Sequence, residues 1–218
     1  MQNAVGVMLD KAVERFALHL SASLRNNDAS TTAGKIGGER SGMKKAKAVH
    51  SGGIILYRVR NGNIDVMLVH PGGPFWAKKD DGAWSIPKGL FEEHEEPLAA
   101  ALREFREETG FAVEGALIEL GEMKQPGGKI VHAWAAEGDL DTAQIRSNTF
   151  TLEWPPNSGY LREYPEIDRG QWFAIDVARK KILPGQATFL DRLVDRLRQT
   201  PQQQTGGVKQ VTLPPPEK

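Results

Sequence analysis

The stretch from Gly89 to Phe111, GLFEEHEEPLAAALREFREETGF, constrains this chain more than any other, because the residues alone mark both its ends and both its faces. Pro97 sits where a first helical turn tolerates a missing N–H, and Gly110 lies where a left-handed residue closes a helix. Between them, at about 100° per residue, Leu98, Leu102, Phe105 and Thr109 fall within an arc of roughly 60°. Such a stripe is stable only against another apolar layer. A helix over 97–109 therefore implies a sheet beside it.

The flanking sequence supplies strands. GIILYRV, then Asn61-Gly62-Asn63, then IDVMLVH reads as two strands joined by a tight turn. Pro71 to Gly82 (PGGPFWAKKDDG) predicts an exposed loop of the kind that touches ligands, and Ala83 to Pro87 a short strand. Ala112 to Glu122 and Lys129 to Ala136 predict two more strands. An irregular segment over 137–170, a strand over Gln171 to Val177 and a helix over Ala187 to Arg198 follow. The pattern is that of an α/β domain over 49–198.

Outside it, Leu9, Val13, Phe16, Leu20 and Leu24 predict an amphipathic helix within residues 1–24. The polar, glycine-rich run from Asn26 to Gly42 predicts a linker, so that 1–48 form a helix with a flexible connection. A working protein that begins near Met43 is the alternative. The Gln- and Pro-rich tail, 199–218, is expected to be disordered.

Composition excludes several classes. The chain has 218 residues with 28 Lys+Arg balanced by 28 Asp+Glu, so no bulk nucleic-acid binding is expected. With no cysteine, disulfides, thiol nucleophiles and thiolate zinc sites are all ruled out. No apolar run approaches the ~20 residues of a membrane span, and charges at Asp10, Lys11, Glu14 and Arg15 interrupt any secretory leader. The expectation is a cytoplasmic protein with no membrane partner.

The neutral chain concentrates its acid in one place: seven glutamates against two arginines within Gly89 to Phe111. Glu104, Glu107 and Glu108 share a face turned away from the apolar stripe. Carboxylates at that spacing repel by a few tenths of a kcal/mol per pair unless a cation sits among them. Ala100, one turn earlier, adds no bulk. Oxygen-only ligands on a rigid helix suit Mg²⁺, with Mn²⁺ second, ions that share their shell with substrate phosphates. A solvated acidic face is the plain alternative for the helix taken without its flanks.

With the flanks included, Gly89, Glu95, Arg103, Glu104, Glu107, Glu108 and Gly110, with Phe105 and Phe111 at the hydrophobic positions, resemble the Nudix box of the Nudix hydrolases at every fixed position. At roughly 6% background per residue over ~200 starts, seven such matches arise by accident about once in a million or less. Trp84-Ser85-Ile86-Pro87-Lys88 resembles the strand leading into the box.

The resemblance implies an α/β/α sandwich with a mixed central sheet, and hydrolysis of a nucleoside diphosphate linked to another moiety. Glu104 and Glu108 map to the main metal ligands and Glu107 to a further one, with Gly89 in the same set. Arg103 maps to a residue that orients a glutamate. Glu107 or Glu104 is the first nominee for general base, with Glu163 and Glu166 in reserve. Glu95 reads as a partner of Arg103, and Lys88 either reaches the phosphates or is a solvated strand-end lysine. Phe75 and Trp76 either stack on a base or pack, Trp84 reads as core, and His94 is assigned no role.

Specificity is less constrained. The Pro-Lys-Gly lead-in is similar to that of diadenosine polyphosphate hydrolases, yet the tyrosine expected soon after the box is replaced by Gly-Gly-Lys at 127–129. Pro126 resembles a proline of the ADP-ribose pyrophosphatases, at a position where turn chemistry also favours proline. A nucleotide-binding sensor or interaction module without turnover is the alternative function, and the complete glutamate set argues against it. The sequence leaves the oligomeric state open.

Overall fold

The computed structural model describes residues 49–92, 94–125 and 128–199. The helix and linker expected before residue 49, the tail beyond 199 and Pro126 lie outside the described residues.

Strand β1 (His50–Arg60) reverses into β2 (Asn63–Pro71) through Asn61 and Gly62, with φ of 52° and 76°. Two consecutive left-handed residues define the turn whose twist matches that of a hairpin, and Asn-Gly adopts it at least cost. Side chains then alternate. Ile54 and Leu56 enter one core cluster while Ile55 and Tyr57 enter the other, so β1 is buried on both faces.

β1 is the axis of a six-stranded sheet. One edge runs parallel to β5 (Ile130–Glu137), from His50↔Ile130 to Tyr57↔Glu137. The other edge is shared: β3 (Lys88–Leu90) pairs with Ser51 to Gly53, and β2 with Tyr57 to Arg60. Adding β4 (Leu117–Lys124) and β8 (Ile167–Ala174) gives the order β4-β5-β1-β2-β8, with β3 on β1. The β1–β5 pair is parallel and the remaining pairs are antiparallel, so the sheet is mixed.

Helix α1 (Pro97–Thr109) covers one face, with Ala101 and Phe105 fully buried against Ile54, Leu56, Met67 and Val69. Helices α2 (Ile175–Lys181) and α3 (Ala187–Gln199) cover the other, placing Phe189, Leu190 and Leu193 on Ile55, Val66 and Leu68. This is the expected α/β/α sandwich. Pro97 opens α1, and Gly110 closes it at φ 81°, donating its N–H to the Arg106 carbonyl. The buried face centres on Ala101 and Phe105, leaving Leu98 and Leu102 half-buried at its margin.

Four stretches differ from the sequence reading. Over 83–87 there is no continuous ladder, only bridges at Val69↔Ser85 and Trp84↔Ile182. Pro87 has no N–H to give, and the N–H of Ile86 goes to the side chain of Gln186 at 3.0 Å. The segment expected to be irregular contains a separate hairpin, β6 (Thr149–Glu153) and β7 (Leu161–Pro165); β6 alternates as Thr-Phe-Thr-Leu-Glu, but over only five residues, and β7 does not. β8 ends at Ala174, so Val177 belongs to α2. β4 likewise begins at Leu117 rather than 112, after Gly115 with φ 98°.

Candidate active site

The site begins with two glycines that face each other across β1 and β3, Gly52↔Gly89. A Cβ on Gly52 would stand 2.7 Å from both Ala101 N and Pro97 O, so α1 rests directly on the β1 backbone. A Cβ on Gly89 would land on the carboxylate of Glu104. Small residues at these two positions let the helix and its acid descend onto the strands. Glu104 consequently is only 1% exposed, and Ala100 beside it is fully buried. The acidic face is turned away from the apolar stripe, as expected, but β3 covers the Glu104 end of it instead of solvent.

Arg103 offsets the repulsion. All five guanidinium N–H bonds have acceptors: Nε to Glu95 Oε1 and Nη2 to Glu95 Oε2, each at 2.8 Å, and Nη2 to the Leu90 carbonyl at 2.9 Å. Nη1 reaches Glu104 Oε1 at 2.6 Å and Glu107 Oε2 at 3.2 Å. The Glu95 hydrogen bonds hold the guanidinium well above its ordinary pKa against the effect of burial, with Glu104 and Glu107 adding to them. Glu95 is fixed in turn by the N–H of Glu92 at 2.8 Å. The planar fork thus ties the loop before α1 to the helix itself.

On the other side of Glu104 stands Lys88, 5% exposed. Its backbone N–H donates to Glu108 Oε2 at 2.8 Å. Burial lowers the pKa of the Lys88 ammonium, while Glu108 and Glu104 oppose that shift. Burial also pushes the Glu108 carboxyl up to about 8; Lys88 opposes this, and Glu104 and Glu166 add to it. Buried Glu104, half-buried Glu108 and the Lys88 ammonium therefore share a space poor in solvent with more acid than base. Glu107, with 34% of its side chain exposed, is more open than Glu104.

Glu163 and Glu166 separate here. Glu166, in the bend between β7 and β8, is near enough to perturb Glu108. Glu163 is exposed on β7 and accepts from the hydroxyl of Thr149. Phe75 and Trp76 belong to other contacts. Trp76 is buried with Lys79 Nζ 4.5 Å from its ring, and Phe75 meets Trp154 edge-on at 5.0 Å. Trp84 is core, 2% exposed, with its indole N–H on Asp80 at 2.9 Å. Sequence reasoning missed Gln186, fully buried, whose amide meets Ser85 Oγ and the N–H of Ile86 and so fixes the segment entering β3. No sequence pattern marks a glutamine a hundred residues away.

The donors fit a hard dication by chemistry: oxygen ligands on one helix above a strand. They also carry the excess negative charge, centred on Glu108, that such an ion relieves. Among the described residues no three His, Asp or Glu side chains already stand in a metal-ligand arrangement. Arg103 holds one oxygen each of Glu104 and Glu107 in this structure.

An acidic helix laid on a glycine-bearing strand of an α/β/α sandwich is the arrangement that the resemblance to the Nudix box implies. The chain belongs to the NUDIX family: the NUDIX domain matches residues 50–193, more than half of its length. It is a pyrophosphohydrolase acting on phosphoric anhydride bonds.

Similar solved structures include the C. elegans Ap4A hydrolase in a binary complex, 20% identical with a TM-score of 0.49, covering 68% of this chain and 98% of that one. The NUDIX domain of Shewanella oneidensis NrtR complexed with ADP ribose is 14% identical, TM-score 0.47, covering 70% and 90%. A mutT/nudix family protein from Listeria innocua is 18% identical, TM-score 0.47, covering 71% and 96%. Among the described residues no helix is long and apolar enough to cross a membrane.

Proposed function

We propose that the chain hydrolyses, with Mg²⁺ or secondarily Mn²⁺, the pyrophosphate bond of a nucleoside diphosphate joined to another moiety. The candidate substrates are a dinucleoside polyphosphate, an ADP-ribose-like compound or a nucleoside triphosphate. The observation that carries this reading is the set of carboxylates that α1 lays over Gly89: Glu104 is 1% exposed and in contact range of that glycine, and burial pushes Glu108 up to about 8, with Lys88 opposing the shift and Glu104 adding to it. A helix that only needed a soluble surface would not bury Glu104.

In this reading Glu104, Glu107 and Glu108, with Gly89 beneath them, hold the dication. When bound, the ion supplies charge neutralisation for the diphosphate and acidity for the attacking water. Arg103 keeps Glu104 and Glu107 in register through Nη1 while Glu95 fixes its fork. Glu107, the more exposed of the two nominees, takes the proton from water, and Glu104 is the alternative base. Lys88 balances the Glu104–Glu108 charge and faces the phosphates as a point charge. Phe75, paired with Trp154, remains the better stacking candidate, since Lys79 already occupies the Trp76 ring.

The working domain is 49–198, with 1–48 and 199–218 as appendages, and the reaction is cytoplasmic. The test is a panel of dinucleoside polyphosphates, nucleotide sugars and nucleoside triphosphates, followed by ³¹P NMR with Mg²⁺ and with chelator. Turnover should require the ion. Activity that survives Glu107→Gln combined with Glu108→Gln defeats the assignment.

A further inference from the structure

Away from the acidic cluster, the registers place Gly89, Gly52, His132 and Glu122 in one row across four strands. α1 passes over Gly52, with Glu104 above Gly89 on one side of the row and His132 and Glu122 on the other. Gly52 has no side chain, so the ring of His50, two residues earlier on the same face, reaches His132. His50 Nδ1 lies 3.1 Å from His132 Nε2. Glu122 Oε2 lies 3.6 Å from that same His132 nitrogen. Phe91 closes the cluster, its ring 5.8 Å from His50 and 5.4 Å from His132.

Two ring nitrogens that face each other can share only one proton, so at least one lone pair points into the gap. Two ligands on one tetrahedral ion with bonds of about 2.0–2.1 Å are separated by about 3.3 Å, between the two distances observed. We propose that His50, His132 and Glu122 form a second cation site, selective for a zinc-class late transition ion over Mg²⁺.

Imidazole donors favour such ions, whereas Mg²⁺ prefers an all-oxygen shell. The third donor closes by side-chain rotation, for the Glu122 side chain is 63% exposed and its movement meets little resistance. Burial lowers the His132 pKa and so favours the neutral, ligating form; Glu122 and Glu119 oppose this, and His50 adds to it. The three ligands come from β1, β4 and β5, so the ion clasps the sheet at the end where β1 begins. The His50 carbonyl also accepts the N–H of Phe91 at 3.2 Å, which couples the clasp to the segment entering α1.

The test uses the full chain stripped with chelator, titrated with Zn²⁺ against a chromogenic competitor in millimolar Mg²⁺. Cu²⁺ electron paramagnetic resonance provides a second readout. Wild type should bind Zn²⁺ at micromolar or tighter concentration, and its Cu²⁺ spectrum should show coupling to two nitrogens. His50→Gln and His132→Asn should each weaken Zn²⁺ at least tenfold and remove one nitrogen, while Glu104→Gln combined with Glu108→Gln leaves both readouts unchanged. Unaltered Zn²⁺ affinity in both histidine variants overturns the proposal, as does Zn²⁺ binding lost only with the glutamates. If His132→Asn does not fold, His50→Gln decides alone. Neither outcome bears on the hydrolase reading, which the Mg²⁺-dependent turnover assay tests separately.

Discussion

Gly52 and Gly89 face each other in the sheet and both touch α1, yet an added methyl group should do different damage at each. At Gly52 it would meet backbone, Ala101 N and Pro97 O at 2.7 Å. Ordinary contact begins near ~3.4 Å, so the helix or the strand must move by roughly 0.7 Å or more, an overpacking that costs about 1–3 kcal/mol. For a domain of this size that is a fall in Tm of roughly 3–10 °C. At Gly89 the methyl group would meet the end of the flexible Glu104 side chain, which can swing away. The stability lost is then about the Glu104–Arg103 bond, ~1–2 kcal/mol, but the carboxylate is displaced from the site.

Gly89→Ala should therefore lose at least a hundredfold in turnover with a modest fall in Tm. Gly52→Ala should be the less stable protein and, measured cold, keep turnover within tenfold of wild type. Thermal melts and kcat on the substrate identified by the panel make the comparison. Wild-type turnover in Gly89→Ala, or an unchanged Tm in Gly52→Ala, refutes the placement of α1 and Glu104 on these strands.

Three further outcomes follow from the same contacts. The folded Glu108 carboxyl titrates at about 8 against an ordinary 4.5, so the metal-free protein should be most stable below 4.5, lose stability as pH rises through 8 and level off beyond. In chelator, urea melts should show Glu108→Gln close to wild type at pH 5 and about 2–4 kcal/mol more stable at pH 9; identical curves at both pH values count against it. Arg103→Lys cannot keep the fork to Glu95 and the Leu90 carbonyl, and should cost about 2–3 kcal/mol and at least tenfold in kcat, with wild-type values as the contrary result. Gln186→Leu strips the N–H of Ile86 of its acceptor and should cost about 1–3 kcal/mol in urea denaturation, and a neutral substitution would show that the entry to β3 is held some other way.

Much of this arrangement was legible in the sequence because local chemistry dictates it. Pro97 and Gly110 bound α1 as read, and Asn61-Gly62 makes the hairpin because both residues tolerate positive φ. The box residues Gly89, Glu95, Arg103, Glu104, Glu107 and Glu108 are gathered around one guanidinium and one glycine-bearing strand. The burial of Glu104 was not legible, since helical periodicity reports direction on the helix and not which strand folds over it. The 149–165 hairpin escaped because its strands are only five residues long and, although β6 alternates as Thr-Phe-Thr-Leu-Glu, its partner Leu-Arg-Glu-Tyr-Pro does not. Glu166 was a candidate by composition alone, and only the fold brings it near Glu108.

The claim that the helix acids hold a hard dication is tested most directly by Mn²⁺ electron paramagnetic resonance on chelator-stripped protein without nucleotide. Wild type should sequester Mn²⁺, Mg²⁺ should displace it, and Glu104→Gln combined with Glu108→Gln should abolish the bound signal. Equal Mn²⁺ uptake by wild type and the double variant, both folded, would contradict the account at its centre.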